Sequence, residues 1–107
     1  MSFKTISPGE LKEKLQNGEN LKLIDVREPE EFVLAQINGA TLLPLSEFQS
    51  WSDKLNPADE IVVICHHGIR SAQVCSYLAS SGFGKIWNLS GGIDRWSVEV
   101  DKSVPRY

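Results

Sequence analysis

The chain has 107 residues, of which 41% are hydrophobic and 23% charged, and its formal net charge is −3. These proportions exclude a disordered or fibrous chain and leave room for one small folded domain, residues 1–107, without a second core. The acidic balance argues against nucleic acid as a partner, and no apolar run approaches the length needed to span a membrane.

Phe3-Lys4-Thr5-Ile6 alternates as a short strand. Ser7-Pro8-Gly9-Glu10 then reads as a helix start, with Ser7 as cap, Pro8 in the first turn and Glu10 closing a capping box. Leu11 and Leu15 stripe that helix, and Gly18 stops it. Leu21 to Val26 reads as a second strand. Glu28-Pro29-Glu30-Glu31-Phe32 reads as an acidic helix start, whose carboxylates suit the helix dipole. Ala40 to Leu43 forms a third strand, closed by Pro44. Phe48, Trp51 and Leu55 at helical spacing predict a helix over 46–55, capped by Ser46 and broken at Asn56-Pro57. Glu60 to Cys65 is the clearest strand, β-branched and apolar on both faces, as a central parallel strand requires. A loop at His66-His67-Gly68 precedes a helix from Ile69 to Ser81. Lys85 to Leu89 is the last strand, and Gly91-Gly92 opens a final helix carrying Ile93 and Trp96. Strands and helices alternate with short connections. That order predicts an α/β fold with a mostly parallel sheet and helices on both faces.

The N-terminus carries no signal-peptide core, so the expected location is the cytoplasm, where Cys65 and Cys75 remain reduced. Cys65 falls at the carboxyl end of the most buried strand, where open α/β sheets bind ligands. Gly68 lets successive backbone N–H groups turn inward as an anion nest, and the following helix adds its positive end. Arg70 adds a full charge, and Ser71 offers a cap or a hydroxyl proton. Together these features favour negative charge on sulfur. His66 and His67 lie in the same loop and carry positive charge when protonated. A lone cysteine at a strand end is often an inert small hydrophobe, but such a cysteine needs no Gly, Arg and paired His around it. Zinc is disfavoured, because adjacent residues rarely point at one metal, and no metal or cofactor is expected. Cys75 shares a helical stripe with Ala72, Leu78 and Ala79 and reads as packing. Asp25 and Arg27 read as an ion pair or loop brace near the site. Trp51, Trp87 and Trp96 read as core or rim, and Gly91-Gly92 lacks the context of a phosphate loop.

Cys65-His66-His67-Gly68-Ile69-Arg70-Ser71 resembles the CxxGxRS active-site loop of rhodanese-like domains. Asp25-Val26-Arg27 with Glu31-Phe32, Ile37-Asn38-Gly39-Ala40 with Pro44, and Leu89-Ser90-Gly91-Gly92-Ile93 with Trp96 are similar to three further segments of that family, in order from Leu21 to Trp96. The resemblance implies a five-stranded parallel sheet with helices on both sides. It implies a ping-pong sulfurtransferase in which Cys65 takes sulfane sulfur as a persulfide from thiosulfate or a protein donor. A thiol or cyanide then accepts the sulfur. The amides of His66 to Ser71 would cradle the persulfide. Three positions depart from the pattern. Ala35-Gln36 stands where the family usually has Gly-His, which predicts local repacking. His66 and His67 stand where some thiosulfate-processing members have basic residues, and Glu31 where some have arginine. The segment Val100 to Tyr107 resembles the tail of rhodanese domains fused to adenylyltransferases, which points to a protein partner in sulfur delivery.

Two other readings compete. A phosphatase or arsenate reductase of related architecture would hold an oxyanion between cysteine and arginine, but Arg70 follows Cys65 by five residues where phosphatase loops use six. A sulfur-carrier or docking module would turn over little by itself and would expose an apolar patch near the loop, with Trp51 or Phe83 as the candidates.

Overall fold

The computed structural model describes residues 3–107. Five strands form one sheet in the order β1-β5-β4-β2-β3, with every neighbouring pair parallel. They are β1 (Lys4–Ile6), β2 (Lys22–Asp25), β3 (Thr41–Leu42), β4 (Ile61–Ile64) and β5 (Ile86–Leu89). The helices are α1 (Pro8–Gln16), α2 (Pro29–Leu34), α3 (Phe48–Trp51), α4 (Ile69–Ser80) and α5 (Gly92–Glu99). Among the described residues, no helix is long and apolar enough to cross a membrane.

β4 is central and all four of its residues are buried. Its side chains alternate between two cores, as a pleated strand covered on both faces must. Val62 and Ile64 join Leu11 of α1 and Ile93 and Trp96 of α5 on one face. Ile61 and Val63 join Trp51 of α3 and Val74, Cys75 and Leu78 of α4 on the other. Cys65, one residue beyond the strand, continues that alternation and turns toward α4.

The capping box of α1 forms as its residues predict: Ser7 Oγ accepts from the Glu10 N–H, and Glu10 Oε1 accepts from the Ser7 N–H at 2.9 Å. The strands are one or two residues shorter than the sequence suggests, although single backbone bonds, such as that from the Val26 N–H to the Ile64 carbonyl, run on past their ends. The larger difference lies at 46–55. Instead of one helix capped by Ser46, a 3₁₀ turn (Leu45–Glu47), the single turn α3 and a second 3₁₀ turn (Ser52–Lys54) follow one another. Trp51 sets this path. It is buried, its Nε1 donates to the Pro44 carbonyl at 2.8 Å, and Phe48 packs edge-on against it. Fixing the indole inside the core outweighs the helical preference of a segment rich in Ser and Asp, which are poor helix formers. Ser46 instead hydrogen-bonds the Glu28 carboxylate.

Candidate active site

The site lies at the carboxyl edge of the sheet, where β4 ends and α4 begins. Cys65 is 1% exposed, and its Sγ faces two donors. The Gly68 N–H lies 3.0 Å away and the Ser71 Oγ 3.2 Å away. Gly68 has φ +100°, a left-handed conformation that an L side chain resists, and this turn aims its N–H back at the sulfur. Gly68, not Ser71, takes the position before the first turn of α4. Ser71 sits inside that turn with its hydroxyl on the sulfur.

A second glycine holds the loop from below. The N–H groups of Ile93 and Asp94, at the start of α5, donate to the carbonyls of Cys65 and His66 at 2.9 and 3.1 Å. A Cβ on Gly92 would come within 2.4 Å of both carbonyl oxygens. The Gly91-Gly92 pair therefore seats α5 beneath the loop backbone.

Sequence reading missed Asn88. Its Nδ2 donates to the Gly68 carbonyl at 3.0 Å, which fixes the amide so that Oδ1 faces the Ser71 hydroxyl. Ser71 has one proton and so serves either Asn88 or Cys65 at a given moment. A polar residue in an otherwise apolar strand, Ile86-Trp87-Asn88-Leu89, was the available signal.

Arg70 does not point freely into the site. It forms a bidentate pair with Glu31, with N–O distances of 2.7 and 2.9 Å. Arg70 holds the Glu31 carboxyl down at about 2, while the Arg70 guanidinium is itself raised by the same bonds. Asp25 and Arg27 are wholly buried and form the closest ion pair of the site, with Arg27 Nη2 2.6 Å from Asp25 Oδ2. The other Arg27 donors reach the Glu31 and Ala35 carbonyls and the Tyr107 hydroxyl. Burial works against the charge on Arg27, but its bonds to Asp25 and Tyr107 outweigh it and raise its pKa. Arg27 thus braces β2 to the end of α2, and the Ala35 carbonyl at the departure from the family pattern serves that brace.

Tyr107, like Asn88, is far from Cys65 in sequence. Val104 is buried and Arg106 pairs with Asp94 at 2.8 Å, so the tail follows α5 back to the site. There the Tyr107 hydroxyl accepts from Arg27 at 2.8 Å and donates to Glu31 at 2.9 Å. Its ring stacks on His66, with centroids 4.0 Å apart and planes 7° apart. His67 packs against the other side of His66. Burial, then the neighbouring His67, lowers the His66 pKa, and its Nε2 is buried without a hydrogen-bond partner among the described residues. His67 is largely exposed, with Nδ1 4.0 Å from Asp94.

The apolar candidates at the rim are not those expected from sequence. Trp51 and Phe83 are buried, held by the core on the α4 face. Ile69, at 73% exposure, and Val33 and Leu34 on α2 are exposed apolar side chains close in sequence to Arg70 and Glu31, and Tyr77 is exposed further along α4.

A cysteine cradled at the end of the central strand of a five-stranded parallel sheet is the arrangement of a rhodanese-like domain. The model of that family, "Rhodanese-like domain", matches residues 7–99, and the chain belongs to the family. The chain is 40% identical to "Putative sulfurtransferase YtwF" of Bacillus subtilis, over 94% of this chain and 96% of that one. It is also 40% identical to "Rhodanese-like/PpiC domain-containing protein 12, chloroplastic" of Arabidopsis thaliana, over 97% of this chain but only 37% of that longer protein. Among solved structures, a rhodanese-like domain protein from Staphylococcus aureus superposes with a TM-score of 0.83 at 30% identity, covering 98% of this chain and 99% of that one.

Proposed function

We propose that the chain is a sulfurtransferase that carries sulfane sulfur as a persulfide on Cys65 and works by a ping-pong sequence. The carrying observation is the pair of donors on the sulfur: the Gly68 N–H at 3.0 Å and the Ser71 hydroxyl at 3.2 Å. The Cys65 thiolate attacks the outer sulfur of a donor, from thiosulfate or a protein persulfide. A new S–S bond forms, the donor's own S–S bond breaks, and the donor leaves with the electron pair. The Ser71 proton turns from Asn88 to the charged sulfur, so the cradle serves thiolate and persulfide alike. In the second half, an acceptor thiol or cyanide attacks the outer sulfur and restores Cys65. The Gly92 clamp keeps the loop from shifting between halves, and the Asp25–Arg27 brace holds β2 to the end of α2.

The pairing of Arg70 with Glu31 supports sulfur chemistry over phosphoryl or arsenate chemistry, because an oxyanion would have to displace a carboxylate bound at two points. The exposed Ile69, Val33 and Leu34 favour a protein donor or acceptor, which also keeps a low-turnover carrier role in view.

The test is intact mass after incubation with thiosulfate or with cysteine persulfide. The expected result is a gain of one sulfur atom, absent in Cys65→Ser and removed by cyanide. A folded wild-type protein that gains no sulfur from either donor overturns the reading.

A further inference from the structure

The positive charges around the loop are all spoken for. Arg27 has five N–H groups, and all five are engaged: by the Asp25 carboxylate, the Glu31 and Ala35 carbonyls and the Tyr107 hydroxyl. Arg70 binds Glu31 at two points. Arg106 binds Asp94, the same carboxylate that His67 faces. Three arginines thus meet three carboxylates. His66 is stacked between His67 and Tyr107, where burial disfavours its protonation.

Sulfur donors differ in what they leave behind. When Cys65 thiolate takes sulfur from thiosulfate, the S–S bond to the sulfonate group breaks and sulfite departs as a dianion. When it takes sulfur from an organic persulfide, R–S–SH, the bond between the two sulfurs breaks and R–S⁻ departs with one charge. The proton stays on the transferred sulfur. A doubly charged donor and leaving group call for a cation that no carboxylate already holds. A singly charged thiolate is served by the loop amide, and its R group would find an exposed apolar side chain beside Arg70, Ile69, rather than a free cation.

We propose that Glu31 and Tyr107 are specificity-determining residues: by engaging Arg70 and Arg27 they shape a mouth that takes organic persulfides in preference to thiosulfate. This rests on the reading of Cys65 as the sulfur carrier. Tyr107 acts at both ends of the set, since its hydroxyl accepts from Arg27 and donates to Glu31. Removing it frees one Arg27 N–H and loosens the carboxylate on Arg70.

The experiment measures how fast Cys65 gains one sulfur from thiosulfate and from cysteine persulfide, by quenched intact mass on the full chain. It compares the wild type with Glu31→Gln, Tyr107→Phe and the double variant. The wild type is expected to react faster with cysteine persulfide. The thiosulfate-to-persulfide rate ratio is expected to rise about tenfold in Glu31→Gln, the scale of one hydrogen bond to a charged group, and further in the double variant. If Glu31→Gln does not fold, Tyr107→Phe carries the test, because it removes one oxygen atom from a partly exposed side chain at the rim. A wild type that prefers thiosulfate, or a ratio that stays level or falls in the folded variants, overturns the proposal. The two failures are distinct: no sulfur on the wild type from either donor defeats the carrier reading, whereas sulfur gained at an unaltered ratio defeats only the specificity.

Discussion

Cys65 and Cys75 lie on the same side of the sheet, in one hydrophobic cluster, at 1% and 0% exposure. Their sulfurs nevertheless meet opposite surroundings. Cys65 Sγ faces an amide N–H and a hydroxyl. Cys75 Sγ faces only an acceptor, the Trp87 carbonyl at 3.5 Å, and burial pushes its thiol up to about 12. Burial is thus the same in both places, and the difference is the direction of the nearby dipoles. Two donors can bond the Cys65 sulfur, whereas an apolar wall and a carbonyl keep Cys75 a thiol. Ten residues of chain separate a candidate nucleophile from a packing atom.

The sharpest way to break this contrast is at Gly92. Gly92→Ala puts a methyl group against two loop carbonyls at a φ of +61°, where L residues are strained. The expected cost is about 3 kcal/mol, seen as a fall in Tm of roughly 10 °C or more, with sulfur uptake by Cys65 lost before Cys75 is disturbed. Thermal unfolding and intact mass on the same sample check both parts. Unaltered uptake would mean that the α5 clamp does not hold the cradle.

Ser71→Ala removes one of the two donors and strands the buried Asn88 Oδ1. We expect persulfide formation on Cys65 to slow about tenfold, with about 1–2 kcal/mol lost in stability. A stopped-flow rate that matches the wild type would assign the cradle to Gly68 alone. The smallest effect belongs to Cys75→Ser, which places a hydroxyl in an apolar wall. Denaturant titration should show a loss of about 1 kcal/mol, with sulfur uptake at Cys65 intact. An equal loss of uptake in Cys75→Ser and Cys65→Ser would erase the contrast.

The parts that were legible in the sequence were those with a local signal. The apolar run at Ile61 to Ile64 marked the central strand. Ser7 and Glu10 marked the first helix. Cys65, Gly68 and Arg70 within six residues marked the loop. What sequence did not show was where Arg70 would send its charge. Glu31 lies 39 residues from Arg70, and Tyr107 lies 76 from Glu31 and 80 from Arg27. Such pairs have no period and no spacing; the first follows from where α2 and α4 meet, the others from the path of the tail along α5. Asn88 left only a weak signal, because one polar residue in an apolar strand can face water as readily as a site. The segment 46–55 misled for the opposite reason. Its helical spacing was real, but one turn was enough to bury Trp51.

The grip of α5 on the Cys65 and His66 carbonyls also bears on how the protein is made. The cysteine emerges from the ribosome well before the residues that seat its loop, and the two amides that hold those carbonyls belong to Ile93 and Asp94. A nascent chain paused before that point holds a thiol without a finished cradle, and a product truncated there would share the defect. The Cys65 loop is seated only when the chain has reached α5, the last of the five helices described, so its carbonyls find their partners later than the loop itself is made.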